Sequence, residues 1–285
     1  MRSTRWFLAL FVGILGFAAT SSAVERTAYA IDAHGNLVSG VLPNSFWSME
    51  LTTIADYDSF LVGSTMDSDG RMLSMFAETD ELVSINLATL EYQVLHTLAV
   101  DIWQFDDLVF GPAGELLVLH GFYSGSSSLF EIDTETGDLT LLAEFDQEFK
   151  TIEYHQGTYY TGNYNQFWRI DAETFEPTLI KDYSSPYSSC GVWGLASIGS
   201  TLWCGFSCGT AGPGYDHWAM IGTIDPVTGF FEQHEMLDDI NSVPEDPHTL
   251  QIIERITPIP ALRPIGVAIL VMLLGLVGTL AIRRL

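Results

Sequence analysis

The chain has 285 residues, among them 36 acidic and 11 basic ones, and a formal charge of −25. Residues 24–256 hold all 36 acidic residues against only six basic ones, so the middle of the chain carries a net charge of about −30. A field of that sign repels nucleic acid and anionic lipid headgroups and attracts cations or basic partners, and it keeps an exported domain dispersed.

At the N-terminus, Arg2 and Arg5 precede the apolar run Trp6–Ala19, and Thr20-Ser21-Ser22-Ala23 follows with small residues at Ser21 and Ala23. A positive head, a short hydrophobic body and a small-residue exit predict a secretory signal peptide over residues 1–23, cleaved after Ala23. The exit region has no cysteine, which argues against a lipoprotein anchor.

Residues 24–256 read as one all-β domain. Aromatic and β-branched residues alternate with polar ones over short runs such as Glu115–His120, Thr158–Thr161 and Thr201–Phe206, and turn residues separate the runs. A unit recurs in which an apolar strand ends in Ile-Asp or Ile-Asn, a turn follows, and a second strand leaves. Its copies begin at Ile31-Asp32, Ile85-Asn86, Ile132-Asp133, Ile170-Asp171 and Ile224-Asp225. In the fullest turns, Asp133-Thr134-Glu135-Thr136-Gly137 and Asp225-Pro226-Val227-Thr228-Gly229, the Asp side chain can accept from amides two and three residues on. The glycine can take a positive φ. The turns after Asn86 and Asp171 lack that glycine and are expected to be looser. Upstream of each later unit lies another strand pair, around Asp69-Gly70, Gly111–Gly114, Gly157 and Gly199. Four strands per repeat is the rhythm of a β-propeller blade, and five blades fit the count. The chain is expected to begin with the last two strands of a blade, near Tyr29 and Leu37, with Thr249–Ile256 returning to help close the ring. A β-sandwich is the alternative, with less regular repeats. The pattern resembles a loose group of secreted propellers with a strand–Asp-x-x-Thr-Gly–strand signature.

Candidate chemistry in this domain is sparse. Gly205-Phe206-Ser207-Cys208-Gly209 has the spacing of a nucleophile elbow, but Gly209–Gly214 is a poor start for the helix an elbow needs, so a strand-end loop is expected. The seven histidines show no His-Glu-x-x-His spacing. Asp67-Ser68-Asp69-Gly70 and Asp133–Asp138 resemble pieces of calcium loops without the full loop and its closing Glu, so calcium is the only cofactor with any support and turn formation is the simpler role. Aromatic residues crowd the middle of the chain, and the Tyr- and Ser-rich segment Lys181–Gly191 suits a rim that binds glycan or peptide. Export would place Cys190, Cys204 and Cys208 in an oxidising compartment, where an odd number predicts one bond and one thiol. Cys204 with Cys208 is the expected pair, and Cys190 with Cys204 across neighbouring strands is the alternative.

At the C-terminus, Ile265–Ile282 has 18 residues without a charge, roughly 27 Å as a helix and enough to cross a bilayer core. Arg283 and Arg284 would remain on the cytoplasmic side. The stretch Ile259-Pro260-Ala261-Leu262-Arg263-Pro264-Ile265-Gly266, the apolar run and Arg283-Arg284 together resemble the C-terminal sorting domains named for an Ile-Pro-Thr-Leu-Ser start. These are relatives of the PEP-type signals handled by exosortase-like membrane enzymes. Ile259, Pro260, Leu262 and Gly266 match the pattern, while Ala261, Arg263 and Ile265 stand where Thr, Ser and Trp are usual. The resemblance implies that residues 257–285 are a sorting signal and transient anchor removed by a membrane protease or transpeptidase. It speaks to address and not to activity.

These readings give an exported protein of the bacterial envelope, cell surface or matrix, with a propeller that binds a glycan or protein and no catalytic residue assigned. The competing expectation is a propeller hydrolase or lyase acting on a polysaccharide or peptide. An enzyme would gather His, Asp, Glu or a metal at the mouth of the central channel.

Overall fold

The computed structural model describes residues 23–31, 35–42, 52–57, 59–99, 105–121, 125–163, 165–184, 188–210, 217–236 and 249–257. All 20 regular elements among them are β-strands, arranged as five four-stranded antiparallel sheets. The fold is a five-bladed β-propeller.

The first blade contains β1 (Ala23–Ile31), β2 (Leu37–Leu42) and β3 (Thr52–Ala55), and its fourth strand is β20 (Thr249–Thr257) from the far end of the chain, in the order β20-β1-β2-β3. The other blades are continuous in sequence. The second holds β4 (Leu61–Met66), β5 (Met72–Phe76), β6 (Glu81–Ile85) and β7 (Tyr92–Thr97). The third holds β8 (Phe105–Phe110), β9 (Leu116–His120), β10 (Ser127–Ile132) and β11 (Leu139–Phe145). The fourth holds β12 (Thr151–His155), β13 (Thr158–Gly162), β14 (Gln166–Asp171) and β15 (Pro177–Asp182). The fifth holds β16 (Ser188–Ile198), β17 (Thr201–Thr210), β18 (His217–Ile224) and β19 (Phe231–Met236). The first strands pack in turn, β4 on β8, β8 on β12 and β12 on β16, and they form the inner wall of the ring. Residues Arg26–Ile253 make one compact unit.

One returning strand therefore closes the ring, because the chain enters at the second strand of blade one and not the third. The pattern hid β3, which is four residues long and breaks its own alternation with a bulge. The same finding moves Ile31-Asp32 out of the repeat. Ile85, Ile132, Ile170 and Ile224 end the third strand of their blades, whereas Ile31 ends a second strand.

The core is distributed between the blades. In one cluster Ala28, Ala30 and Val38 of blade one meet Trp193, Ala196, Trp203 and Ile221 of blade five. In another, Ile31 and Leu37 meet Leu61, Met72, Phe76, Val83 and Ile85 of blade two. Each sheet is covered on both faces, which explains why inner strands such as Leu61–Met66 are buried almost throughout rather than at alternate residues.

The turns between third and fourth strands share one geometry. Asn86, Asp133, Asp171 and Asp225 each accept from the amides two and three residues on. The fifth residue then takes a positive φ: 60° at Leu90, 80° at Gly137, 56° at Phe175 and 66° at Gly229. The turns without glycine are not looser. Leu90 N–H reaches Asn86 O at 2.7 Å and Phe175 N–H reaches Asp171 O at 2.9 Å, beside 2.7 Å at Gly137 and 2.8 Å at Gly229. Packing holds Leu90 and Phe175 in a conformation that costs a side chain about 1–2 kcal/mol, since each joins an inter-blade cluster.

Every outermost strand also carries a β-bulge at the same place. The extra residues are Ile54, Leu95, Leu142, Ile180 and His234. The bulge turns Ile54, Leu95, Leu142 and Ile180 inward against the inter-blade clusters, and it breaks the regular edge that five outer strands would offer to other chains.

Candidate functional site: the central channel

The inner strands have one free edge each, so their outward amides need acceptors that the sheet cannot supply. Asp107 of β8 provides two of them. Its Oδ1 accepts from Ser64 N–H of β4 at 3.2 Å and from Leu108 N–H at 2.9 Å. Its Oδ2 accepts from Thr151 Oγ1 at 2.8 Å and from Ile152 N–H of β12 at 3.1 Å. One carboxylate thus ties blades two, three and four. Burial pushes Asp107 up to about 7, against the downward pull of Thr151, Ile152, Ser64 and Leu108.

Glu153 continues the line. It accepts from Ser197 N–H of β16, and burial first and the charge of Asp107 second raise its carboxyl well above the ordinary 4.5. It is enclosed by protein yet keeps some accessible surface, as a side chain lining an internal channel does. Two residues on, His155 places Nδ1 2.7 Å from Ser197 Oγ. Its Nε2 is buried with no partner, and burial lowers its pKa, which favours the neutral ring.

Toward the start of the inner strands lies an ion cluster. Lys150 Nζ is 3.2 Å from Asp106 Oδ1 and 2.7 Å from Glu148 Oε1. Asp106 is the extra residue of a bulge in β8, where Phe105 pairs with His120 and Asp107 with Leu119. Burial raises Asp106 to about 7, with Lys150 opposing. Gly63 and Trp193 are the corresponding extra residues of β4 and β16. Gly63 has φ +61°, and a Cβ on it would stand 3.1 Å from Asp107 Cα, so glycine there lets β4 approach Asp107.

The channel thus gathers Asp, Glu and His, the set expected of an enzyme, but it spends most of them on the ring. Three of the four bonds to Asp107 join its blade to blades two and four. His155 and Ser197 form a base–hydroxyl pair, yet among the described residues no carboxylate orients His155, and the Ser197 amide is already given to Glu153.

The residues singled out from sequence lie elsewhere. Gly205–Gly209 runs within β17, paired on both sides to β16 and β18, so the segment is neither an elbow nor a strand-end loop. The disulfide joins Cys190 to Cys208, and buried Cys204 is the remaining thiol. Both sequence-based pairings fail on geometry. Cys204 and Cys208 are four residues apart on one strand, about 13 Å, and Cys204 stands opposite Leu195 rather than Cys190.

The calcium-like segments are turns. Asp67 accepts from the amides of Asp69 and Arg71 and pairs with the Arg71 guanidinium at 2.8 Å, and Asp133 closes its own turn. Among the described residues no group of three or more His, Cys, Asp or Glu side chains could hold a metal ion. Tyr183 of the presumed rim packs edge-on against Phe206 and donates to Gly229 O at 2.7 Å. Residues 185–187, the leader segment 1–22 and the sorting residues Ile259, Pro260, Leu262, Gly266, Arg283 and Arg284 lie outside the described residues. No helix among the described residues is long and apolar enough to cross a membrane.

The sequence reading missed Asp106, Asp107, Glu153 and Ser197 as a group. The available signal was charge inside strands that are otherwise apolar, Phe105-Asp106-Asp107-Leu108-Val109-Phe110 above all.

In fold the chain is similar to one in the crystal structure of a nidogen/laminin complex, with a TM-score of 0.50 and 10% identity over 80% of this chain and 98% of that one. It also aligns with a catalytically inactive virginiamycin B lyase from Staphylococcus aureus with quinupristin, at a TM-score of 0.38 and 12% identity over 68% of this chain and 76% of that one. Only the first likeness bears weight, and at that identity it speaks to fold alone. No protein-family model and no curated protein matches the chain, so what it demonstrably shares with known proteins is the propeller.

Proposed function

We propose that the protein is an exported interaction module, a propeller displayed at the cell surface or in the extracellular matrix that binds a glycan or a basic protein partner. The observation that carries this reading is Asp107. The best-placed carboxylate of the channel gives three of its four bonds to the neighbouring blades two and four, which supports reading the channel as a frame. The Cys190–Cys208 bond suits an oxidising compartment, the leader-like residues 1–23 suit export, and the charge of −25 suits a basic partner. The likeness in fold to a chain of a nidogen/laminin complex is in keeping with a role in assembly. Residues 257–285 would anchor the domain in the membrane until a sorting protease or transpeptidase releases it.

The Ser197–His155 pair at 2.7 Å supports a second reading, a hydrolase acting from the channel. The two are separated by incubating the purified full chain with an array of polysaccharides and peptides, with and without calcium, and recording both retention and turnover. Retention without turnover is expected. Turnover that disappears in Ser197→Ala would replace the binding reading with the enzymatic one.

A further inference from the structure

The four turns that join third to fourth strands share one backbone course, so they can be compared position by position. Their third and sixth residues are exposed in every copy. In blades two to four these are Ala88 and Glu91, Glu135 and Asp138, and Glu173 and Glu176. In blades two and three the acid at the sixth position takes the hydroxyl of the turn's threonine, Thr89 on Glu91 and Thr136 on Asp138. Blade five has Val227 and Phe230 instead. They are 81% and 69% exposed, the highest values for large apolar side chains among the described residues.

The core does not ask for this pair. Phe231, the next residue, supplies the aromatic ring that blade five buries, and it stacks on Phe206 with 4.8 Å between centroids. The turn itself is held firmly. Asp225 Oδ1 accepts from Val227 N–H and Thr228 N–H, both at 2.8 Å, and Asp225 N–H donates to Phe230 O at 2.9 Å. Tyr183, just after β15, donates to Gly229 O at 2.7 Å. A fixed turn loses little freedom when its side chains are covered, which is what an interface anchor requires. The surroundings indicate what covers it. Residues 86–91, 133–138, 171–176 and 225–230 together hold eight acidic residues and no basic one. They lie at one end of the ring, because each closes the same hairpin of its blade. An apolar pair beside that charge is complementary to apolar side chains set among lysines or arginines. A second copy of the chain would bring another formal charge of −25 and be repelled.

We propose that Val227 and Phe230 are the apolar anchor of a docking surface for a basic protein segment, whose own apolar side chains cover the pair while its Lys and Arg residues face the carboxylates of the turns. Such a surface rests on the binding reading above and places the contact at the turn-bearing end of blade five rather than in the channel. The repeat supplies the control. Val227→Glu with Phe230→Asp gives this turn the third and sixth residues of the blade-three turn Asp133–Asp138, which the fold already accommodates.

The test is binding of a labelled synthetic Lys–Leu peptide to the purified full chain, read by fluorescence anisotropy, beside a Lys–Ala peptide of equal charge. The double variant adds negative charge and removes the anchor, so the two contributions move in opposite directions. Affinity for the Lys–Leu peptide is expected to fall by about tenfold or more, while affinity for the Lys–Ala peptide holds or rises. Equal or tighter binding of the Lys–Leu peptide by the variant overturns the proposal and leaves the binding reading standing. So does a wild type that does not bind the Lys–Leu peptide, because the binding reading gives way only to turnover that Ser197→Ala abolishes. Should the double variant not fold, Phe230→Glu puts at the sixth position the residue that blades two and four have there, and the same fall for Lys–Leu alone is expected. Sedimentation without peptide examines the other occupant. An oligomer formed by the wild type and lost in the variant would assign the pair to a second copy and overturn the proposal.

Discussion

Cys190 stands directly opposite Cys208 across the β16–β17 ladder, with their Cα atoms 4.1 Å apart. The bond closes a loop of 18 residues, and by loop-closure entropy it is worth about 3 kcal/mol. Peptide mapping without reductant should recover Cys190 joined to Cys208. Cys204 is buried, with its thiol pushed well above the usual range, so it should resist alkylation until the protein unfolds. Rapid labelling of Cys204 in the native protein would contradict this packing.

Asp107→Ala should be the most damaging single change in the channel. It leaves the buried amides of Ser64 and Ile152 and the hydroxyl of Thr151 without their acceptor at once. Each lost acceptor costs about 1–3 kcal/mol, so a loss of about 4 kcal/mol or more is expected. Thermal or denaturant unfolding followed by circular dichroism gives the number, and a loss below about 1 kcal/mol would mean that the ring is held by its apolar clusters alone.

Two turn glycines separate backbone strain from crowding. Gly70 has φ +75° and open space where a Cβ would go, so Gly70→Ala pays only the conformational cost of about 1 kcal/mol. Gly229 has φ +66°, and a Cβ there would stand 2.5 Å from Lys181 Cβ, so Gly229→Ala must also move β15 and should cost about 1 kcal/mol more. Equal losses in the two variants would show that Lys181 yields freely.

What could be read from sequence follows from how local each interaction is. The Asp-x-x-Thr turn is made within five residues, so Asp133 and Asp225 announced it, and four of the five Ile-Asp units fell where the blade repeat requires them. The fifth, Ile31, misled because β1 and β6 end alike although they hold different places in their blades. The bulges could not be seen, since Leu95, Leu142 and Ile180 look like ordinary strand residues until the partner strand is in place. The channel was hidden for the same reason. Asp107 meets Ser64, 43 residues before it, and Ile152, 45 residues after it, and nothing local marks either partner. The disulfide was misread because glycines at 205 and 209 suggested a loop, whereas pairing on both sides makes the segment a strand.

Stability should peak in mild acid, because three kinds of group pull in different directions. The exposed turn carboxylates are held below their ordinary 3.8 by hydrogen bonds, Asp133 by Glu135 N–H and Thr136, Asp171 by Thr174 and Glu173 N–H, Asp225 by Thr228 and Val227 N–H. Their contribution is present above 3.8 and is lost as pH falls through the lower folded values. His155 is lowered from 6.5 by burial, so it too stabilises at higher pH and opposes folding as pH falls through its folded value. Asp106 works the other way. Burial raises it from 3.8 to about 7 despite Lys150, so its contribution is complete below 3.8 and fades as pH rises through about 7. Its Oδ2 is buried with no partner, which is the place where a proton is better tolerated than a charge. Asp106→Asn keeps an oxygen for Lys150 and removes the titration. Melting temperatures of the two proteins, taken from about pH 3 to about pH 9, should therefore lie close together in acid and separate in favour of the variant as pH rises through about 7. Curves that stay parallel throughout would show that Lys150 holds Asp106 ionised at every pH.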